Sequence, residues 1–256
     1  MENLTVIVPI VVLNTDEKKE MFINALSSID NSNIIVVGEK KAIESLNDID
    51  LSKFIFTTLI NTGKDKSYVS NVNFALKNIK SEYFSILEYD DMYSSIWFKN
   101  VEEYINKDID ETFAFLPLTE IVDYNTKNVI GYSNEAVWAS SFSDELGCYD
   151  IQSLENYLNF NTSGGVFKTN DFISLGGLKS SMKLVNWYEF LLRVLYKGKR
   201  VFVIPKVGYY HIVNRPDSIT SNYAETMTEK EADWWIDLAQ KEYFFPQDRK
   251  KTYTEE

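Results

Sequence analysis

Short runs of β-branched and apolar residues alternate with segments of helical periodicity through the first third of the chain. This alternation constrains the fold more than any other feature of the sequence. The predicted strands are Leu4–Leu13, Asn33–Val37, Phe54–Leu59 and Tyr83–Leu87, and the predicted helices between them are Asp16–Ile29, Ala42–Leu46 and Ser70–Ile79. Strands that alternate with helices over short turns are typical of an α/β fold with a parallel sheet.

The second half of the chain has shorter strand patterns and longer polar segments. It predicts strands at Thr112–Leu118, Val129–Tyr132, Val201–Ile204 and Val207–His211, and helices at Ile151–Leu158, Trp187–Tyr196 and Glu229–Phe244. No internal repeat or Gly/Ser-rich linker separates the halves. We therefore expect one domain over residues 1–256, with subregions at about 1–110 and 111–220 and a C-terminal helix and tail at about 221–256.

Composition narrows the class of protein further. A chain of 256 residues that is 45% hydrophobic can bury a sizeable core. The net charge of −12 argues against non-specific binding to nucleic acid, which needs clustered Lys and Arg. One cysteine, Cys148, excludes an internal disulfide and a thiolate zinc site, and suits a reducing compartment. No apolar stretch reaches 18 residues, and Glu2 stands where a signal peptide has a positive charge, so we expect no membrane span and a cytoplasmic location.

An acidic run, Glu88–Asp91, directly follows the fourth predicted strand. Alternation along an extended chain places Glu88 and Asp90 on the same side. Carboxylates held together repel one another unless a cation lies between them, and Mg²⁺ or Mn²⁺ prefers such oxygen ligands. The alternative is that Asp91 caps a helix over Ser94–Tyr104 and that the acids are only solvated.

Two further segments are candidates for the same edge of the sheet. The loop Asn61–Lys66 leads into a helix and can present backbone N–H groups and lysines to phosphates, although Asn-x-Gly turns are also ordinary loop chemistry. His211, the single histidine, ends a predicted strand and is followed by Arg215. It is either a ligand or a structural residue.

Six short motifs of the sequence occur together in an order that is typical of one known family. They comprise Val6-Ile7-Val8-Pro9, the spacing of 15 residues from Asn73 to Glu88, Ser81-Glu82-Tyr83, Gly164–Phe167 with Leu175–Leu178, Glu189–Arg193 with Gly198, and His211 to Ser218. Over about residues 4–220 the chain resembles family 2 glycosyltransferases of GT-A fold. The overall pattern also resembles uncharacterised members of that family encoded by large tailed bacteriophages, which would place the protein in the host cytoplasm.

The resemblance implies a Rossmann-like, mostly parallel central sheet with flanking helices and a smaller C-terminal acceptor subregion. It implies a nucleotide-diphosphate sugar donor in the first half, Mn²⁺ or Mg²⁺, and inversion at the anomeric carbon. The acceptor would be an unknown glycan, protein or small molecule. By position, the implied donor-binding residues are Pro9, Glu39, Lys66, Asn73, Glu88, Tyr89 and Arg215; the metal residues are Asp90, Asp91 and His211; the sugar or acceptor residues are Gly164, Gly165 and Trp187; and the catalytic base is Glu189.

The chain departs from the family pattern at the base, because Asn186-Trp187 stands where the family has an acidic pair. Glu189 is then the nearest acid, and its alternative role is an i,i+4 ion pair with Arg193. A catalytically inactive relative, used as a structural or sugar-binding protein, for example in a virion, is the second hypothesis. The adjacent Trp234 and Trp235 also favour it. A nucleotidyltransferase would need a Gly-rich, basic loop after the first strand, and VVLNTDEKK does not supply one.

Overall fold

A nine-stranded sheet runs through both halves of the chain. The computed structural model describes residues 3–107, 112–216, 218 and 226–244. The strands are β1 Leu4–Pro9, β2 Asn33–Gly38, β3 Thr57–Ile60, β4 Tyr83–Ile86, β5 Met92–Tyr93, β6 Thr112–Asp123, β7 Val129–Ser133, β8 Val166–Lys168 and β9 Arg200–Val213. The helices are α1 Asp16–Ser27, α2 Lys40–Glu44, α3 Tyr68–Leu76, α4 Trp97–Lys107, α5 Thr169–Ser174, α6 Asn186–Tyr196 and α7 Glu229–Gln240.

The strand order is β3-β2-β1-β4-β8-β6-β9-β5, with β7 paired to β6. Strands β3, β2, β1 and β4 are parallel to their neighbours in that series, and the long pair β6 and β9 is also parallel. Strand β8 runs antiparallel between β4 and β6, while β5 and β7 add antiparallel edges. The predicted α/β class is confirmed.

The hydrophobic core lies on both faces of the sheet. All six residues of β1 are buried, since helices cover each side of it. One face packs against α3, α5 and α6, and the other against α1 and α4. The first turns of α1, α3 and α7 are capped by Thr15, Ser67 and Thr228, whose side chains accept hydrogen bonds from backbone N–H groups.

Several predicted boundaries differ from the structure. Strands Val201–Ile204 and Val207–His211 form the single strand β9, which contains Pro205 and meets β6 with shifts in register near Pro117. The predicted helix Ile151–Leu158 is wrong, since only Ser153–Glu155 forms a short 3₁₀ turn there. Helix α4 begins at Trp97, after β5, so Asp91 does not cap a helix over Ser94–Tyr104. The predicted tail after residue 244 lies outside the described residues.

Candidate active site at the carboxyl edge of the sheet

The acidic run forms a tight turn between β4 and β5. The backbone N–H of Asp91 donates to the carbonyl of Glu88 at 3.1 Å, which closes the turn. Because β4 is parallel to β1, the turn lies at the carboxyl edge of the first sheet half, where α/β folds bind ligands. Strand β9 brings His211 to the same turn, and Arg215, which follows the end of β9, also reaches it.

Asp91 is held rigidly and holds His211 in turn. Its side chain is 1% exposed. One carboxylate oxygen accepts the Ile212 backbone N–H at 2.8 Å, and the other lies 2.9 Å from Nδ1 of His211. Asp91 therefore fixes the orientation of the imidazole, whose Nε2 is the ring nitrogen not engaged by Asp91.

Asp90 forms a buried ion pair with Arg215. Both Nε and one terminal nitrogen of Arg215 lie 2.9 Å from Oδ2 of Asp90, and the Arg215 side chain is 8% exposed. The guanidinium also lies 5.2 Å from the centroid of the Tyr89 ring, at cation–π distance. The predicted donor residues Tyr89 and Arg215 are thus brought together with the predicted metal residue Asp90.

Glu88 is fixed through its backbone and its side chain. Its N–H donates to the hydroxyl of Tyr209 at 3.1 Å, and its carboxylate lies beside the Tyr68 hydroxyl. Tyr209 in turn packs against Gly164, where a Cβ would lie 2.3 Å from its ring. With φ of +74°, Gly164 occupies a position that only glycine suits. Gly164 therefore supports the acidic turn through Tyr209, whereas Gly165 lies against Leu116 and Phe167.

The acids of the turn raise one another's pKa. Burial, together with Asp91 and Asp90, raises the pKa of Glu88 to about 8. Burial and Asp91 likewise raise the pKa of Asp90 to about 6, even though Arg215 opposes the shift. Burial acts to lower the pKa of His211, but Asp91 and the other two acids outweigh it and raise that pKa to about 9. A bound cation would relieve the repulsion between these acids.

The donor set suits a divalent metal that is shared with a substrate. In the described part of the chain, no three His, Cys, Asp or Glu side chains lie close enough to hold a metal by themselves. Mg²⁺ and similar ions are commonly held by one or two carboxylates together with substrate phosphates. Asp90 and His211 therefore fit a metal that arrives with a phosphorylated ligand, rather than one in a closed protein cage.

The loop Asn61–Lys66 is built around a buried asparagine. The Asn61 amide donates to Asn71 at 2.9 Å and to the Asp65 carbonyl at 3.1 Å, and its oxygen accepts the Gly63 N–H at 2.9 Å. The Lys66 ammonium donates to the Asn61 carbonyl. Asn61 was not predicted as a site residue, and it fixes the shape of the predicted donor loop.

Other predicted donor residues have varied environments. Pro9 is the last residue of β1 and is buried, and half-buried Glu39 directly precedes α2. Asn73 binds the backbone of Leu178 in both directions, donating to its carbonyl at 2.7 Å and accepting its N–H at 3.1 Å. The Asn73 amide thus ties α3 to the segment 175–178, and its contact with a donor stays a prediction.

Glu189 is enclosed by hydrogen-bond donors. It is 1% exposed, and its carboxylate accepts from Arg193 at 2.6 Å, from Lys179 at 2.7 Å and from Tyr243 at 2.9 Å. Burial acts to raise the pKa of Glu189, but these donors outweigh it and hold that pKa below its ordinary value. The i,i+4 pair with Arg193 is confirmed. The role of catalytic base stays a prediction, and this geometry does not favour it.

Trp187 lies at the first turn of α6, near the acidic turn. Its indole N–H donates to the Tyr68 hydroxyl at 3.4 Å, and its ring stacks on Phe167 at 5.5 Å. Tyr68 and Tyr209 are site residues that the sequence analysis missed. Tyr209 lies two residues before His211, on the same face of the strand, so the alternation of side chains along a strand could have indicated Tyr209 as a site residue. No local sequence signal marks Tyr68.

Comparisons with known proteins place the fold. No family profile matches the chain, and no curated protein matches it by sequence. S. aureus TarS 1-349, solved with UDP-GlcNAc, superimposes with a TM-score of 0.63 at 14% identity, covering 96% of this chain and 69% of that one. Mannosyltransferase PcManGT from Pyrobaculum calidifontis, solved with GDP-Man and Mn²⁺, superimposes with a TM-score of 0.59 at 12% identity, covering 99% of this chain and 65% of that one. The GT-A-type fold is confirmed. Within the described ranges, no helix is long and apolar enough to cross a membrane.

Proposed function

We propose that the protein is a glycosyltransferase that moves a sugar from a nucleotide-diphosphate sugar to an acceptor hydroxyl. The observation that carries the proposal is the pairing of Asp90 with Arg215 and of Asp91 with His211 at the carboxyl edge of the sheet. The shared fold supports it, since two proteins of this fold were solved in complex with UDP-GlcNAc and with GDP-Man.

The donor would lie along the carboxyl ends of β1 to β4. In this arrangement Pro9, Glu39 and the Asn61–Lys66 loop border the nucleoside, and Glu88 lies between the ribose and the transferred sugar. Arg215 offers a guanidinium fork to the diphosphate oxygens, which would draw it partly from Asp90.

A divalent metal, Mn²⁺ or Mg²⁺, would be held by Asp90 and by Nε2 of His211, with Asp91 orienting the imidazole. When bound, such an ion neutralises charge on the diphosphate leaving group. We assign Asp91 a supporting role because both of its oxygens already accept hydrogen bonds.

The proposed reaction is a direct displacement with inversion. The acceptor oxygen forms a bond to the anomeric carbon, while the bond from that carbon to the diphosphate oxygen breaks and its electron pair leaves with the diphosphate. Arg215 stabilises the charge that develops on the leaving group. The acceptor proton passes to a base, and we propose that Glu189 is an ion-pair residue rather than this base, because its oxygens are occupied.

A catalytically inactive, sugar-binding relative is the second candidate. The observation that favours it is the engagement of Glu189, together with Trp187 in the position of the family's acidic pair. Trp234 is 55% exposed and packs edge-on against Trp235 at 4.7 Å, on a helix that contacts α6. Donor binding without turnover would identify this candidate.

Thermal unfolding with nucleotides and nucleotide sugars, with and without Mn²⁺, tests the proposal. A ligand that binds only the folded state at 100 times its Kd adds about 2.7 kcal/mol to the free energy of unfolding. We expect at least one nucleotide sugar, from a panel that includes UDP-GlcNAc and GDP-Man, to raise the melting temperature. No shift with any member of the panel would contradict the proposal.

Metal binding is expected to depend on the nucleotide and on Asp90. Because the protein offers only part of a coordination shell, Mn²⁺ should bind weakly alone and more tightly with a nucleoside diphosphate present. Asp90→Ala should abolish the gain that Mn²⁺ gives to nucleotide affinity, measured by calorimetry. Asp171→Ala, which removes a carboxylate paired with Lys199 elsewhere, is the matched control. An unchanged Mn²⁺ gain in Asp90→Ala would remove Asp90 from the metal site.

A further inference from the structure

Tyr68 connects two parts of the candidate site that are distant in sequence. It is the first residue of α3, and its ring is half-buried. Its hydroxyl accepts a hydrogen bond from the Trp187 indole N–H at 3.4 Å and lies beside the Glu88 carboxylate. The end of β4, the start of α3 and the start of α6 therefore meet at one hydroxyl group.

The surroundings of Tyr68 hold this junction in place. Ser67 caps α3 by accepting the Ser70 N–H at 3.2 Å, and the Asn61 and Asn71 amides bind each other one turn further on. On the opposite side, Trp187 stacks on Phe167 with an angle of 26° between the rings. Neither aromatic side chain depends on the junction hydroxyl for its packing, so the hydroxyl can be removed without removing the site.

The chemistry of the junction matches a sugar ring. The indole of Trp187, half-buried against Phe167, offers its remaining apolar surface to the C–H face of a pyranose. The Tyr68 hydroxyl and the Glu88 carboxylate can exchange hydrogen bonds with ring hydroxyls. The junction lies beside Glu88, whereas Arg215 and His211 contact Asp90 and Asp91. Sugar and diphosphate would thus have separate sets of contacts.

We infer that Tyr68 is the positioning residue of a sugar subsite formed with Glu88 and Trp187, which recognises the transferred sugar of the donor. The inference rests on the proposed function and deepens it, since it assigns a residue to the sugar rather than to the nucleotide. Tyr68 acts by setting the orientation of the Glu88 carboxylate and of the Trp187 indole.

The test compares Tyr68→Phe with wild type in two binding measurements by calorimetry, with Mn²⁺ present. The ligands are the nucleotide sugar that stabilises the wild type, from UDP-GlcNAc and GDP-Man, and the matching UDP or GDP. We expect Tyr68→Phe to weaken the nucleotide sugar about tenfold and the nucleoside diphosphate less than twofold. Trp187→Phe, which keeps a ring but removes the N–H donor, should show the same selective loss.

Tyr188→Phe is the matched control, because its hydroxyl donates to the Leu154 carbonyl at 2.6 Å, away from the acidic turn. It should bind both ligands as the wild type does. Equal loss of both ligands in Tyr68→Phe would place Tyr68 in the nucleotide site or in the fold, and no loss of either would also overturn the inference. A wild type that binds neither ligand would overturn the proposed function as well, so the two failures are distinguishable.

Discussion

Replacing Arg215 by alanine is expected to weaken the binding of a nucleoside diphosphate about a hundredfold and the binding of the nucleoside little. Hydrogen bonds to charged groups contribute about 1.5–3 kcal/mol each, and each 1.4 kcal/mol is a tenfold change in affinity. The substitution also leaves the buried Asp90 carboxylate without its guanidinium partner, and that carboxylate then repels the diphosphate. Calorimetry with UDP and uridine, or with GDP and guanosine, measures both affinities.

Two further variants sharpen this result. Arg215→Lys keeps the charge but loses the planar fork, so its affinity for the diphosphate should lie between those of wild type and Arg215→Ala. Arg200→Ala removes an arginine that pairs with Glu145 at 2.6 Å, outside the site, and should leave both affinities unchanged. Equal weakening of nucleoside and nucleoside diphosphate in Arg215→Ala would place Arg215 outside the diphosphate site.

The second large effect is expected at Glu189, on stability rather than on chemistry. Removing one partner from a buried ion pair costs about 3–5 kcal/mol, because the other charge stays buried without compensation. Glu189→Ala should lower the free energy of unfolding by this amount, measured with urea, since Arg193 is 12% exposed and loses its carboxylate partner. Glu189→Gln should lower the free energy of unfolding by less, because the amide oxygen can still accept a hydrogen bond from Arg193.

The same variants separate the ion-pair role from the role of base. A base would give Glu189→Gln nearly normal stability and a turnover reduced by about 10²–10⁴. Glu145→Gln, at an exposed pair with Arg200, is the control and should change stability by less than about 1 kcal/mol.

Acid should reduce the contribution of Glu189 to stability. The donors around Glu189 hold its folded-state pKa below the ordinary value of 4.5. A group with a lowered folded pKa contributes stability above its unfolded pKa and loses it as the pH falls through the folded pKa. The difference in unfolding free energy between wild type and Glu189→Gln should therefore be full above about pH 4.5 and should shrink at lower pH. A difference that does not change with pH would contradict the ion-pair role.

The sequence predicted those parts of the fold that depend on local pattern. Strand β1 was clear because both of its faces are buried, so its residues are apolar without interruption. Strand β9 was predicted as two strands because Pro205 removes a backbone donor, and only the long pairing with β6 shows that the strand continues. Helix α6 and its end at Gly198, with φ of +68°, follow from amphipathic spacing and were predicted to within a residue.

The candidate site was predicted in part, because its central contacts join residues far apart in sequence. Four site residues could be predicted because each ends or follows a predicted strand: Asp90, Asp91, His211 and Arg215. That Asp91 holds His211 while Asp90 holds Arg215 depends on the docking of β9 beside the acidic turn, across more than 100 residues. Local spacing could indicate the pair Glu189–Arg193, but not Lys179 and Tyr243, which arrive from other segments.

The central claim is that a nucleotide diphosphate and a divalent metal bind at the acidic turn. A crystal structure with Mn²⁺ and the nucleoside diphosphate of the stabilising donor tests it most directly, because manganese is located by its anomalous scattering. We predict an anomalous peak within bonding distance of Asp90 and of Nε2 of His211, with the diphosphate against Arg215. Nucleotide density at the opposite edge of the sheet, in the cavity of about 1140 Å³ lined by Asn3, Asn33 and Glu82, with none at the acidic turn, would contradict the claim.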